Sequence, residues 1–253
     1  MTTRKKARPL TALAALALVA LASGGCATPG PLHVYSLATD RAEVVRDRGD
    51  GKNPDVPSFV ADDERLTGFA YDPYTDHFFL RLAPGNRIRV VDRPARAIKR
   101  EFHGEQLPDT GGGDLAIRPR DGHVFFAHPT QPLVFELTRL GKWVRTISLG
   151  ATSRPAQGLA YDAERNRLFV RAGTAPARIA ICDPEGHETG LITLDREIGT
   201  SLGYDTATRE FYAPLTGPEA GLGVFDESGR LRRTHPANAP FIDVGPRSFV
   251  RVF

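Results

Sequence analysis

The sequence predicts an all-β chain folded as a five-bladed β-propeller, the last blade closed by strands from both termini. Three observations carry this expectation. One phrase, an apolar run, a polar turn and a second apolar run, is written four times. Phe69-Ala70-Tyr71-Asp72 leads to Phe78-Phe79-Leu80, Leu115-Ala116-Ile117-Arg118 to Val124-Phe125-Phe126, Leu159-Ala160-Tyr161-Asp162 to Leu168-Phe169-Val170, and Leu202-Gly203-Tyr204-Asp205 to Phe211-Tyr212. The fourth residue of the phrase recurs at steps of 46, 44 and 43 residues, the period of a solenoid, propeller or array, and strand-only units of that length point to propeller blades. Finally, the two ends of the chain read as two complementary halves of a fifth unit.

In chain order, the first segment is an address. Arg4, Lys5, Lys6 and Arg8 precede Leu10 to Ala22, a Leu/Ala run interrupted only by Thr11. About 20 apolar residues are needed to cross a bilayer, so this run has the size of a signal-peptide core instead. Without residues 1–25 the chain holds 29 basic and 30 acidic residues, well mixed. The basic character of the full sequence therefore belongs to the leader, and no nucleic-acid footprint remains.

A short tether, 26–31, follows, and residues 32–253 form one domain. Leu32–Leu37 and Ala42–Arg46 alternate with period two and read as strands, and Gly49–Pro57 reads as a surface loop. Four full units then carry four strands each: 67–71, 77–81, 87–91 and 97–102; 114–117, 123–127, 133–137 and 143–149; 158–161, 167–171, 178–182 and 188–194; 201–204, 210–213, 221–225 and 231–234. Turn chemistry separates them, as in Asp72-Pro73, Asp121-Gly122 and Asp183-Pro184-Glu185-Gly186. At the C-terminus, 241–246 and 249–253 supply strands one and two of a unit whose strands three and four come from 32–47. Completing a blade in this way removes two raw sheet edges.

Two resemblances accompany these patterns. Leu21-Ala22-Ser23-Gly24-Gly25-Cys26 resembles the lipobox of bacterial lipoproteins, with Ser23 where leucine is commoner. That resemblance implies diacylglyceryl attachment to Cys26, cleavage before it and acylation of the new terminus, which anchors a domain firmly in a membrane. Ala27 after the cysteine resembles the outer-membrane sorting pattern of Gram-negative lipoproteins and implies the periplasmic face of that membrane. An ordinary signal peptide with an incidental cysteine is the alternative. The repeated phrase, with third strands ending in Asp (Asp92, Asp183, Asp226), is similar to the NHL, YVTN and SdiA-regulated propeller families. Such a fold hosts many functions and assigns none.

Candidate chemistry lies where the loops leading into the first strands gather around the central channel. Arg65, Asp114, Arg154, Gln157, Glu197 and Ser201 sit in those loops. Asp243 stands apart: the second position of the inner strand is Ala70, Ala116, Ala160 or Gly203 in the other units. A carboxylate there must be hydrated in the channel, paired with a cation such as Arg65 or Arg154, or bound to backbone amides. Gly111-Gly112-Gly113 precedes no helix and no Lys-Ser/Thr, so it reads as a flexible loop and not a phosphate cradle. The scattered histidines, the absence of a GxSxG elbow and the isolated Cys182 in an apolar strand give no metal, cofactor or nucleophile motif.

The reading is a monomeric, membrane-anchored, non-enzymatic propeller binding a protein or a small ligand at its channel face. The alternative is a glycosidase-like hydrolase or a lyase drawing on Asp63, Asp114, Glu197 and Asp243. Its chemistry needs an acid and a base or nucleophile about 5–9 Å apart.

Overall fold

The computed structural model describes residues 32–37, 44–47, 53–56, 59–109, 111–149, 155–172, 177–218, 221–235 and 240–246. Every regular element among them is a strand. In chain order these are β1 (Leu32–Leu37), β2 (Val44–Asp47), β3 (Asn53–Val56), β4 (Arg65–Asp72), β5 (His77–Ala83), β6 (Arg87–Asp92), β7 (Ala97–His103), β8 (Leu115–Arg118), β9 (His123–Ala127) and β10 (Leu133–Leu137). They continue as β11 (Trp143–Ser148), β12 (Ala156–Asp162), β13 (Arg167–Ala172), β14 (Arg178–Cys182), β15 (Glu188–Thr193), β16 (Gly203–Asp205), β17 (Glu210–Leu215), β18 (Gly221–Asp226), β19 (Leu231–His235) and β20 (Phe241–Pro246).

The strands form antiparallel four-stranded sheets: β4–β7, β8–β11, β12–β15, β16–β19, and one ordered β20-β1-β2-β3. The innermost strands touch in the order β4, β8, β12, β16, β20 and back to β4. This is an all-β propeller. Its core is divided among five clusters of buried apolar side chains, each drawn from two sheets adjacent in that order. Tyr71 of β4, for example, lies against Tyr35 of β1 with ring centroids 4.6 Å apart. Phe169 of β13 meets Tyr204 of β16 at the same separation.

The repeated phrase has a local cause. Its aspartate ends the inner strand and caps the following turn: Asp72 Oδ1 accepts from the Tyr74 amide at 3.0 Å, Asp162 Oδ1 from Glu164 at 3.1 Å, and Asp205 Oδ1 from Ala207 at 3.0 Å. Each turn ends on a residue in the left-handed region, Asp76, Asn166 and Arg209 with φ of 59°, 53° and 58°. The short side chains of Asp and Asn tolerate that conformation, and at Arg209 the amide donates to the Asp205 carbonyl at 2.8 Å.

The mixed sheet departs from the sequence expectation in two ways. The position beside β20, expected from 249–253, is held by β1, in the register Tyr35↔Asp243 and Val34↔Val244. The sheet thus takes one strand from the C-terminal end and three from the N-terminal end. The third of these is β3, which pairs with β2 through Val44↔Val56, although Gly49–Pro57 reads as a loop. Asn53–Val56 carries Pro54 and lacks alternation, so nothing local marks it as a strand. Pairing with β2 places it at the outer edge, where proline is tolerated. Residues 249–253 lie outside the described residues, as do Cys26 and the leader.

Candidate functional site

Among the described residues, the loops leading into the inner strands bond to one another and to the neighbouring strands. They knit the sheets together. Gly113 N–H donates to the Thr67 carbonyl at 3.3 Å and Asp114 N–H to that of Gln157, also at 3.3 Å. The Asp114 side chain is 1% exposed, and its Oδ2 accepts the amides of Leu159 and Leu202, each at 3.1 Å. One carboxylate from the second sheet therefore holds the inner strands of the third and fourth. Ser201 Oγ donates to the Ile242 carbonyl and accepts the Ile242 amide, both at 3.0 Å, fastening the fourth sheet to β20. Burial drives the Asp114 carboxyl well above the ordinary range, opposed by its backbone donors, with the Asp243 charge adding a further upward push.

The triple glycine belongs to this closure. A Cβ on Gly68 would stand 2.4 Å from the Gly113 carbonyl oxygen, and Gly113 itself has a φ of 143°. Glycine is required at both positions by close backbone approach and conformation. Beside them lies Arg81, fully buried, which donates from Nη1 to the carbonyls of Gly113 at 3.0 Å and Ala127 at 2.8 Å, and from Nε to Asn86 at 2.7 Å. Its desolvation brings the guanidinium pKa down to about 10, with Asp114 pulling the other way.

Open space lies at the other end of the inner strands. A cavity of about 750 Å³ is bounded by the turns that follow them, with Pro73, Pro119, Ala163 and Thr206–Arg209 at its rim. Its deep end is lined by the inner strands, at the level of Tyr71, Ile117, Tyr161, Tyr204 and Val244 and, one or two residues further from the turns, by Ala116, Leu159, Ala160 and Asp243. The tyrosine hydroxyls point away into the turns: Tyr71 donates to Asp76 at 2.9 Å, Tyr204 to Glu227 at 2.9 Å, and Tyr161 to Asn166. What the cavity sees of them is chiefly ring and backbone.

Asp243 resolves its three alternatives in favour of backbone amides. Oδ2 accepts from Tyr71 at 2.7 Å and Oδ1 from its neighbour Val244 at 2.8 Å. Burial raises its pKa to about 7 despite those two donors. The group is packed among protein atoms on most sides yet faces the cavity, and the residue is neither fully buried nor exposed. No arginine or lysine among the described residues contacts it. Arg65, offered as a partner, is exposed at the far end of its strand, and Arg154 lies outside the described residues.

Among the other expected residues, Gln157 is half-buried and uses its backbone carbonyl, while Glu197 is exposed and its carbonyl accepts the Thr216 amide at 3.2 Å. Asp63 is exposed. Asp114, Ser201 and Gln157 are thus brought together, but in an inter-sheet closure, and Asp243 alone of the described candidates lines the cavity. Sequence reading missed Ile117, Val244 and the 205–209 turn. The recurring Tyr71, Tyr161 and Tyr204 were a visible signal, since the same residues that pack the sheets also border the cavity. Cys182 is buried in an apolar cluster, its thiol pushed up to about 11 by desolvation, in keeping with a core residue.

No protein-family model matches the chain, and no curated protein matches it. Solved structures do. A chain of a nidogen/laminin complex superposes with a TM-score of 0.62 at 10% identity, covering 86% of this chain and 100% of that one. The glutaminyl cyclase of Myxococcus xanthus superposes with a TM-score of 0.52 at 14% identity, over 83% of this chain and 73% of that one. At such identities the likeness is one of fold.

Proposed function

We propose that this chain is a membrane-anchored, ligand-binding propeller of five blades, sealed where β1 lies beside β20 and tethered by lipid on Cys26. Its ligand enters the cavity on the side of the turns after the inner strands. The observation that carries the binding reading is the cavity itself. About 750 Å³ of mainly apolar space, with one carboxylate and a few backbone groups converging at its deep end, has the size and make-up of a small-molecule site. The circular order of the inner strands and the Tyr35↔Asp243 register support the sealed ring. The lipobox-like Leu21–Cys26 segment supports the anchor and a place at the periplasmic face of the outer membrane.

Hydrolysis by paired carboxylates receives less support. Of Asp63, Asp114, Glu197 and Asp243, only Asp243 borders the cavity, and Asp114 is turned to the amides of Leu159 and Leu202. A glycosidase needs two such groups flanking the same bond.

The test is a thermal-shift and calorimetric screen of small fragments against the full-length protein in detergent, repeated on Ala163→Trp. Ala163 is exposed on the rim, so an indole there fills space without removing a buried contact. Fragments that bind the wild type and lose affinity in the variant support the cavity as the site. Binding indifferent to the substitution, or no binding at all, rejects it.

A further inference from the structure

The alternation of an antiparallel ladder gives the deep end of the cavity a specific chemistry. In such a ladder the N–H and C=O of one residue point to the same side, toward the partner strand at one position and away from it at the next. The Tyr71 amide donates to Asp243 rather than to β5, so Tyr71 faces the channel. Leu159 and Leu202 donate to Asp114, so by the period of two Tyr161 and Tyr204 face it as well. Ala127 N–H donates to the Asp114 carbonyl at 3.0 Å, which fixes the phase of β8 and turns Ile117 to the channel. The Val244 amide bonds to Asp243 and not to β1. All five residues line the cavity.

Each of the five brings one donor and one acceptor to this level. Two of the donors, Tyr71 and Val244, are already engaged by the Asp243 carboxylate. Set against the three amides of Ile117, Tyr161 and Tyr204 are the carbonyls of Ile117, Tyr161, Tyr204 and Val244 and the outstanding lone pairs of a carboxylate. The deep end is therefore rich in acceptors and carries a carboxyl group with no cationic side chain in contact among the described residues. The charged groups further out are Glu164, Asp205 and Arg209 on the rim, two acids and one base. Asp205 is held by its own turn, through Ala207 N–H and Thr208 Oγ1.

We propose that the cavity binds an organic cation, a primary ammonium group on an apolar body. The ammonium seats against Asp243 and the ring of carbonyls, and the body lies along Pro73, Pro119 and the tyrosine rings. This rests on the reading of the cavity as a ligand site. An ammonium offers three donors and no acceptor, the complement of what the ring leaves unpaired. A bare metal cation suits the ring less well, because three amide hydrogens point into it and a single carboxylate is the only anionic ligand.

The probes are n-butylammonium, n-butanol, butyrate, and calcium or potassium chloride, titrated at pH 8 into the full-length protein in detergent, wild type and Asp243→Asn. Asparagine keeps a carbonyl for the Tyr71 amide and removes the charge. The expected result is n-butylammonium binding at least about tenfold more tightly than n-butanol, a difference of about 1.4 kcal/mol, and an advantage lost in the variant. If the variant does not fold, the ranking of ammonium over butanol over butyrate on the wild type decides alone. Equal binding of the three, preference for butyrate, or a metal ion displacing the amine overturns the inference. Neutral fragments blocked by Ala163→Trp with no preference for amines overturn it while leaving the cavity reading intact. If no probe binds at all, both fail.

Discussion

Asp243 Oδ2 lies 2.7 Å from the backbone nitrogen of Tyr71, a residue 172 positions earlier in the chain. The bond joins the fifth inner strand to the first at the level where the cavity begins. It explains why a carboxylate is accepted where the other sheets carry alanine or glycine: the side chain reaches a channel-facing amide of the neighbouring inner strand. It also ties stability to pH. The Asp243 pKa of about 7 is raised from the model-compound value of 3.8. Between those values the unfolded chain has released a proton that the folded chain keeps, so stability falls as pH rises from about 4 to about 7. Asp114, also raised, acts in the same direction. His77 and His128, both shifted down by burial, pull the other way, so chemical denaturation at pH 4.5, 6 and 7.5 should show the wild type losing more stability, or gaining less, with rising pH than Asp243→Asn. An unchanged slope in the variant would assign the dependence elsewhere.

Asp114 carries the heavier structural share. Replacing it with alanine leaves the Leu159 and Leu202 amides buried without acceptors, and each such orphan costs about 1–3 kcal/mol. A loss of about 2–6 kcal/mol is expected for Asp114→Ala, and a smaller one for Asp114→Asn, which retains a carbonyl for those amides. Urea unfolding of the two variants checks the order. Asparagine as damaging as alanine would show that the charge, through its attraction for buried Arg81, is what matters.

The repeat was legible because three of the units write the same phrase to build the same turn: Asp72, Asp162 and Asp205 cap alike bends, and the tyrosine before each packs between sheets. Those are local and periodic demands. The make-up of the last sheet was only half legible, since β3 is a strand by virtue of its neighbour β2 and not of its own composition. The location of the cavity was not legible either. Polar residues in Thr67, Gly111–Asp114, Gln157 and Ser201 look like a binding surface in sequence, but in three dimensions they bond chiefly to backbone groups of neighbouring strands. Which end of a channel carries the cavity depends on contacts between units some 45 residues apart, and periodicity is silent about those.

The anchor has its own test. Cys26→Ser should abolish labelling by a palmitate analogue and shift the protein from the membrane to the soluble fraction of cells. It should leave thermal stability unchanged, since the domain begins beyond the tether. Unaltered membrane partitioning would dismiss lipidation.

Ring closure makes the most demanding prediction. Cutting the chain after Pro240 removes β20, and with it the neighbour of β1 and the partners of β4 and β16 on either side. Phe241, Ile242 and Val244 leave two of the inter-sheet clusters, one shared with β4 and β5 and the other with β17 and β18. Burying one such side chain contributes about 1.5–3 kcal/mol, so three of them together rival the ~5–15 kcal/mol that holds a typical domain folded. Asp243 and Ile242 are lost as well, which orphans the Tyr71 amide and unfastens Ser201. The truncated protein should therefore show no cooperative unfolding transition. A converse experiment strengthens the same seam. Val34 and Val244 are direct partners at a position where the Val244 amide turns away from β1, and Cα atoms of such pairs lie about 4.5 Å apart, within the reach of a disulfide. Val34→Cys with Val244→Cys should cross-link under mild oxidation, join the two ends of the domain covalently and raise the unfolding temperature. A truncate that still unfolds cooperatively, or a cysteine pair that never cross-links, would mean that the ring does not close through this strand pair.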